Sequence, residues 1–572
     1  MRKLRHHLFR TGASLLVVGL FSVAIIKPVF AQEEEKIIRF QPFVANYLAA
    51  MIAEYRDETK QAAGYYEKAE QALGGDIGLQ EKTFSLHMAN GNIDKAYKVA
   101  KKLLDIEGTS PLSKLLVAVY DVDKGDYKLA LEKISALHKD LPSVLQFHLA
   151  QSYLDIELGK SVKKVVKDLK KADYSDLLDG HRYYHIGRMY EKAGQTDKAV
   201  KAFEKAFDED TGSIFNVLEL GRLYEQTQRR DMARDVYRIF QESNPESMLL
   251  KSTFRRFKSG KAIKKYVKPT IEDDLAEVLF GFSTLMVSQN LDTAGRQLLH
   301  MTTKISDKHA FAHFYEGVLN EQNDELEDAI KSYGFVAKDN PAWLSSQVRV
   351  ARVLKKIGKK DAAIRKLNAL LKDNPDEVFL HKTAAEIYYE SKQYKKAAKH
   401  YSRVLSGNKS MSEAKKSVYY FARGASYERL GNFEKASADL EKSLESNPNN
   451  PTVMNYLGYM WIDTGNKIDE AFAHIQKALL LRPNDGSIID SMGWAYFKKA
   501  DYESAAQLLE RAVELLPDDA TINMHLGDTY EKLGRFDEAK LQWQRALELG
   551  PDTEKHKKHL KIKLRIRKTA KK

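Results

Sequence analysis

Small and bulky apolar residues recur along the chain at fixed distances from one another. Counted from Gly493, they lie at offsets 3, 12, 16 and 19, and a proline follows at offset 24. The same series starts again 34 residues later, at Gly527. Spacings of three and four residues place side chains on one face of a helix. The pattern therefore predicts a repeated unit of two short helices, the second of which ends before the proline.

Fourteen residues begin such a series. A small residue is expected at this starting position because the two helices of a unit cross closely there, and the bulky residue at offset 16 fills the space between them. The starting residues are Ala50, Phe84, Ala118, Ala150, Gly187, Gly221, Phe282, Gly317, Ala351, Ala385, Gly424, Gly458, Gly493 and Gly527. Phe84 and Phe282 depart from the pattern because both are large.

These residues and offsets resemble the pattern of the tetratricopeptide-repeat (TPR) family over about residues 40–551. The resemblance implies an all-α fold, a right-handed TPR superhelical solenoid of about 13–14 helix-turn-helix repeats. Some members grip a terminal carboxylate with lysine and asparagine side chains on three successive units. That chemistry is not expected here, since the corresponding positions hold mainly acidic and aromatic residues.

The regular spacing breaks once, between Gly221 and Phe282, which lie 61 residues apart. Residues 251–268 within this gap include eight basic residues and no acidic residue. We therefore predict an irregular basic connector over residues 251–275. It would separate an amino-terminal TPR array at residues 32–250 from a carboxyl-terminal TPR array at residues 276–551.

The start of the chain differs from the repeats. It has a basic beginning, a run of 14 apolar residues and small residues before Gln32. These are the features of a secretory signal. We predict a signal peptide at residues 1–31 that is cleaved after Ala31, which makes the protein exported and periplasmic. An uncleaved anchor is the alternative, although a membrane span needs roughly 20 apolar residues.

The formal net charge of +13 is concentrated in the signal, the connector and the tail at residues 552–572, and the repeats themselves are acidic. Within the tail, Leu560, Ile562, Leu564 and Ile566 alternate with Lys561, Lys563, Arg565 and Arg567. This period of two predicts an extended segment with an apolar and a cationic face. The tail either stays solvated and partly caps the last repeat, or contacts an anionic lipid or cell-wall polymer. Nucleic acid is not expected as a partner of an exported protein.

Catalytic and metal-binding patterns are missing from the sequence. There is no cysteine, which excludes disulfides and thiolate metal sites. The chain has no H-E-x-x-H, phosphate-binding glycine loop or G-x-S-x-G. His181 and His185 have helical spacing, but no nearby carboxylate completes a zinc site, so we interpret them as surface or groove histidines. We expect no enzymatic activity, no cofactor, no metal and no small-molecule substrate.

Positions that repeat packing leaves free are candidates for binding a protein or peptide. They lie three residues before the starting residue of a unit, one after it and four after it, and face the inner, concave side. The candidate groove residues are Phe421, Asn455, Tyr459, Ile462, Asp490, Trp494, Phe497, Met524 and Asp528. Trp494 would either anchor a partner, in which case its loss costs little stability, or pack edgewise on Tyr459 and stiffen the groove. Trp543 lies at offset 16 and is expected in the core.

Two stretches, "NYLGY" at residues 455–459 and "DSMGWAYF" at residues 490–497, resemble exported proteobacterial envelope TPR proteins. That group includes the TPR adaptor lipoproteins of carboxyl-terminal processing proteases. The resemblance implies a periplasmic scaffold or adaptor for another envelope protein, such as a protease or cell-wall enzyme. The lipid-bearing cysteine of those lipoproteins is missing. The alternative is a structural envelope component that its basic tail tethers to membrane or wall polymer, with the groove closed by its own chain or a second copy.

Overall fold

The computed structural model describes the backbone of residues 31–569, except positions 57, 105, 107, 246, 264–265, 408–410 and 552, and the side chains of residues 42–565 with the same gaps. Within these residues the secondary structure is helical and contains no strand, which confirms the predicted all-α repeat solenoid. The predicted signal peptide lies outside the described residues except for Ala31. No helix among the described residues is long and apolar enough to cross a membrane.

The chain forms two compact units. Among the described residues, the first unit holds those up to Pro245 together with Leu250–Leu319, and the second holds residues 247–249 and those from Asn320 onward. In order, the helices of the first unit are α1 (Ala31–Tyr55), α2 (Thr59–Leu73), α3 (Ile77–Ala89), α4 (Ile93–Leu103), α5 (Pro111–Asp123), α6 (Tyr127–Asp140), α7 (Leu145–Glu157), α8 (Val162–Lys171), α9 (Asp179–Lys192), α10 (Thr196–Glu209), α11 (Ile214–Gln226), α12 (Arg230–Ser243), α13 (Lys251–Lys258), α14 (Ile271–Ser288) and α15 (Asp292–Ile305).

Helix α16 (Ala310–Gln322) begins in the first unit and ends in the second. The second unit continues with α17 (Leu326–Gly334), α18 (Trp343–Lys356), α19 (Lys360–Asp373), α20 (Val378–Glu390), α21 (Tyr394–Gly407), α22 (Glu413–Glu428), α23 (Phe433–Ser446), α24 (Pro451–Thr464), α25 (Ile468–Leu481), α26 (Gly486–Lys498), α27 (Tyr502–Leu515), α28 (Ala520–Lys532), α29 (Phe536–Leu549) and α30 (Glu554–Thr569). All fourteen predicted starting residues lie on the first helix of a pair, including Phe84 and Phe282.

Close crossing of the two helices in a pair explains the small starting residues. A Cβ atom added at Gly221 would lie 2.2 Å from the Tyr237 ring, and one added at Gly527 would lie 2.6 Å from the Trp543 ring. Tyr237 and Trp543 are the residues at offset 16 in their units. The sequence therefore identified both sides of this contact, and a larger starting residue would force the helices apart.

The predicted connector at residues 251–275 is partly helical rather than irregular. Helix α13 lies in its first third, and α14 begins inside it at Ile271. The boundary between the compact units also differs from the predicted one, because α14 and α15 belong to the first unit. The reason is their packing: α14 contacts α5 and α7, and α15 contacts α3, α4 and α5. The pair folds back onto earlier repeats instead of beginning a separate array.

Candidate protein-binding face

First helices of several successive pairs in the second unit pack side by side. Helix α18 contacts α20, α24 contacts α26, and α26 contacts α28. Side-chain caps fix where these helices begin: Asp485 accepts hydrogen bonds from the backbone at the start of α26, and Asp519 does the same for α28. Equal offsets therefore fall on the same side of successive helices. We call the side that carries the candidate groove residues the inner face.

The candidate groove residues fall into two groups by burial. Half-buried side chains are Phe421, Asn455, Tyr459 and Phe497, whereas buried side chains are Ile462, Asp490, Trp494, Met524 and Asp528. The residues of the second group contribute to packing between helices. Their offsets correctly describe the side of the helix, but the neighbouring helix covers them, so they are not free for a partner.

Trp494 belongs to the covered group and is only 8% exposed. Its indole stacks on Phe497 with ring centres 4.5 Å apart and on His525 with ring centres 4.0 Å apart. The expectation of an exposed anchor is therefore wrong. The alternative, that the indole packs, describes it better, but its partners are Phe497 and a residue of the following helix rather than Tyr459 on the preceding one. Parallel rings at this distance are a favourable arrangement.

His525 is a residue of the inner face that the sequence interpretation missed. It is buried, and its Nδ1 atom lies 2.9 Å from a carboxylate oxygen of Asp490. Burial alone would lower the pKa of His525, but the Asp490 carboxylate outweighs that effect and raises the pKa. A protonated imidazole stacked on Trp494 also gains cation–π attraction. The signal in the sequence was the near-repeat spacing of 35 residues between Asp490 and His525.

Asp528 binds the chain's own carboxyl-terminal helix. Its carboxylate accepts a hydrogen bond from Trp543 Nε1 at 2.9 Å and lies 2.9 Å from Nε2 of His559. Glu531, one turn later, pairs with Lys563. Both acidic groups thus contact side chains of α30, which cover them on the side that would face an external cation.

The described part of the carboxyl-terminal tail forms helix α30, which contradicts the predicted extended segment. Leu560 is fully buried and Leu564 packs beside it, while Lys563 lies 5.4 Å from the centre of the Trp543 ring. Residues spaced by three and four cover the open end of the last pair, an arrangement that an extended segment cannot make. Lys561 and Arg565 remain exposed, and the side chain of Arg567 lies outside the described residues.

A diagonal row of half-buried aromatic side chains crosses the inner face. It consists of Phe379 on α20, Phe421 on α22, Tyr459 on α24 and Phe497 on α26. Counted from the starting residues of their units, these positions are −6, −3, +1 and +4, so each lies about one turn further along its helix than the previous one. We call these four residues the aromatic row. Sequence reasoning missed Phe379, because offset −6 was not among the positions considered.

Both apolar and charged side chains surround the aromatic row. The Phe421 ring packs edge-to-face on Tyr456 at 5.3 Å, and the Arg352 guanidinium lies 5.0 Å from the centre of the Phe379 ring. Val418, one turn before Phe421, is 60% exposed. Asp463 is exposed one turn after Tyr459. An accessible apolar surface with nearby charge is suited to a protein segment rather than to catalysis.

The predicted groove histidines of the first unit also have a structural environment. His185 is fully buried and its Nδ1 atom lies 3.0 Å from the Tyr153 hydroxyl, and His181 packs beside it with ring centres 4.7 Å apart. His185 is therefore not a surface histidine, whereas His181 is half-buried. Within the described residues, no group of three or more histidine, aspartate or glutamate side chains is arranged to hold a metal ion.

Comparison with known families agrees with this architecture. Tetratricopeptide-repeat models match residues 181–211, 417–450 and 491–553, and the model of YpiA-like tetratricopeptide repeats matches residues 356–409. The chain is a tetratricopeptide-repeat protein. The last of the TPR matches contains Trp494, His525 and Trp543.

Related TPR proteins come from distant organisms. TPR repeat-containing protein MJ1428 of Methanocaldococcus jannaschii is 22% identical over 433 residues, which cover 67% of this chain and 72% of the relative. TPR repeat-containing protein PA4667 of Pseudomonas aeruginosa is 26% identical over 199 residues, which cover 35% of this chain and 33% of the relative. The match thus spans about a third of the Pseudomonas protein.

Solved TPR structures resemble parts or most of the chain. A tetratricopeptide repeat protein from Parabacteroides merdae matches with a TM-score of 0.39 and 18% identity, covering 45% of this chain and 98% of its own. The Cut9–Hcn1 hetero-tetramer of the APC/C matches with a TM-score of 0.34 and 16% identity, covering 93% of this chain and 98% of its own.

Proposed function

We propose that this TPR protein is a non-enzymatic periplasmic scaffold or adaptor that binds another envelope protein through the inner face of its second unit. TPR repeats make the chain a protein-interaction scaffold. The observation that carries the choice of face is the aromatic row, which exposes part of one large ring on each of four successive first helices. Large aromatic side chains provide much of the binding energy in protein interfaces.

The role in the envelope rests on the sequence. The basic and apolar beginning of the chain has the features of a secretory signal, and "NYLGY" and "DSMGWAYF" are similar to segments of envelope TPR adaptors. The structure adds that Asn455, Tyr459 and Phe497 in these segments are half-buried on the inner face. An adaptor of this kind would present a protease or cell-wall enzyme with its substrate.

Site-specific cross-linking in intact cells tests the proposed face. A photoreactive phenylalanine analogue replaces Phe421 in one variant and Phe497 in another. We expect both variants to cross-link to the same envelope protein, because both positions lie in the aromatic row. The matched control carries the analogue at Leu541, which is 64% exposed on α29, the second helix of its pair. A partner that cross-links from Leu541 but from neither inner position would reject the proposal.

A second candidate function uses the carboxyl-terminal helix. Lys561 and Arg565 are exposed on α30, and their cationic groups would be the ones to contact an anionic lipid or wall polymer. If α30 tethers the protein, moderate salt should release it from the membrane fraction, and replacing both residues with glutamate should do so without salt. Lys532→Glu, an exposed change outside α30, is the control. A double variant that stays membrane-associated to the same extent as the control would exclude this tether.

A further inference from the structure

Helices α14 and α15 form a hairpin that covers the inner face of the first unit, which the same offsets define there, as Leu115, Val119 and Val122 do on α5. Helix α14 packs on α5 and α7, and α15 packs on α3, α4 and α5. In a regular solenoid, a new pair contacts the pair that precedes it in the sequence. This hairpin also packs on α3, α4, α5 and α7, which precede it by more than 100 residues. It therefore occupies the surface on which a partner would otherwise dock.

One side of α14 is apolar and fits an apolar surface of the array. Leu275, Val278 and Leu279 are buried, and they surround a small cavity together with Leu115 on α5 and Phe147 on α7. Near the end of the array, Phe280 meets Phe215 of α11 edge-to-face at 5.3 Å. The hairpin is thus seated like an amphipathic helix in a hydrophobic groove.

The first turns of α14 are acidic, and the array supplies a matching donor for each of three carboxylates. Asp274 is fully buried and accepts hydrogen bonds from Lys192 at 2.6 Å and Arg188 at 3.2 Å. The Tyr184 hydroxyl donates to Glu277 at 2.9 Å. A third contact joins the Tyr127 hydroxyl to Glu272 at 3.1 Å.

These donors come from two different repeats, on α6 and α9, and they converge on one short acidic segment. Burial alone would lower the pKa of Arg188, but nearby tyrosine and carboxylate groups outweigh it and keep the guanidinium charged. A buried cation without its carboxylate partner would be costly. The inner face of the first unit therefore recognises a helix that combines an acidic beginning with an apolar stripe.

We propose that the α14–α15 hairpin is an internal ligand and that the inner face of the first unit is a docking site for an amphipathic helix with acidic first turns. The chain keeps this site closed until such a helix competes with the hairpin. This inference concerns the first unit and does not depend on the function proposed for the inner face of the second unit.

A peptide with the sequence of residues 270–288 serves as the probe, labelled with a fluorophore. It is titrated into the full chain and into the double variant Asp274→Asn, Glu277→Gln, which keeps the side-chain shapes but removes two charges from the resident hairpin. We expect the peptide to bind the double variant at least tenfold more tightly than the unaltered chain. Glu538→Gln, an exposed neutralisation on α29, is the matched control and should leave peptide binding unchanged.

A cross-link establishes where the peptide binds. Because the chain contains no cysteine, Asp123→Cys and Lys304→Cys introduce two unique thiols at partly exposed positions whose native side chains lie 3.6 Å apart. Joining them with a short bismaleimide in the double-variant background fastens the hairpin to α5. We expect this to abolish the tenfold gain. A cross-link between Glu441→Cys and Lys467→Cys in the second unit is the control and should preserve the gain.

Two results would overturn the inference. One is a folded double variant that binds the peptide no better than the unaltered chain, and the other is a gain that persists after the α5–α15 cross-link. If the double variant does not fold, hydrogen exchange on the unaltered chain shows whether the hairpin can detach. A detachable hairpin opens separately, so α14 and α15 should exchange at least tenfold faster than α7. Equal protection of α7 and the hairpin would mean that they form one inseparable core.

Discussion

At the scale of single residues, two tryptophans show how offset and burial are related. Trp543, at offset 16, is fully buried, as its position predicts. Trp494, at offset 1, is on the inner face but is sandwiched by parallel rings and only 8% exposed. Its position therefore makes it a structural part of the inner face rather than its contact surface.

We expect Trp494→Ala to lower the free energy of unfolding by about 3–5 kcal/mol, close to the loss for Trp543→Ala, because both changes truncate a buried tryptophan. Denaturant unfolding of the two variants measures this. Leu541→Ala, at an exposed position, is the control and should change stability by about 0.5 kcal/mol or less. A Trp494→Ala variant as stable as the control, with partner capture lost, would restore the anchor role that the sequence predicted.

The sequence could not show what covers Trp494. An offset within a repeat fixes the side of the helix on which a residue lies, and this was correct for Trp494, Asp490 and Asp528. Whether that side is open depends on the side chains of the following repeat, here His525 and the carboxyl-terminal helix. Repeat register therefore predicted the face, and three-dimensional packing decided which residues on it are accessible.

At the scale of helices, the sequence predicted the pairs well and the two unpaired segments poorly. Most of the fourteen pairs follow from one small residue and one bulky residue 16 positions later, and the pairs of Phe84 and Phe282 were still placed correctly by the repeat spacing. Helices α13 and α30 lack this pattern, and the basic runs around them suggested irregular or extended chain. In α30, alternating residues resemble a strand, but Leu560 and Leu564 also have helical spacing, and the open end of α28–α29 favours the helix.

The hairpin α14–α15 marks a different limit of sequence analysis. Its repeat pattern correctly predicted two paired helices, with Phe282 on the first of them. Nearest-neighbour stacking, however, is an assumption of the solenoid and not a property of the sequence pattern. The acids at the start of α14 could not be matched with Tyr184, Arg188 and Lys192 without the fold, because 82 residues separate Lys192 from Asp274.

At the scale of the whole molecule, histidines in different repeats have pKa values that are shifted in opposite directions. In the first unit, burial lowers the pKa of His181 to about 4 and that of His185 well below its usual value. The unfolded chain takes up these protons near pH 6.5, whereas the folded unit resists them. We therefore expect α9 and the helices packed on it to lose stability as the pH falls from about 6.5 to about 4.

Stability changes with pH in the opposite direction at His525 in the second unit, because Asp490 raises the pKa of His525 in the folded protein. The stabilisation that protonated His525 gives to the folded state is fully present below about pH 6.5. It is lost as the pH rises through the pKa that His525 has in the folded protein. Hydrogen exchange at a series of pH values, corrected for the intrinsic exchange rate, measures both effects. The double variant His181→Leu, His185→Leu and the single variant His525→Gln are the matched variants, and each should remove the histidine contribution to the local pH dependence, in α9 and α28 respectively. Unchanged dependence in both variants would contradict this explanation.

The α14–α15 hairpin is synthesised after the repeats whose inner face it covers, and this order has a consequence for biosynthesis. Gln297 donates a hydrogen bond to the Ser85 carbonyl at 3.1 Å across a separation of 212 residues. At about 5–20 residues per second, the ribosome needs roughly 10–40 s to make the intervening chain. During that interval the apolar inner side of the early repeats lacks its final cover. The growing chain would then be most vulnerable to aggregation before the hairpin arrives, and would benefit from a chaperone that shields this surface.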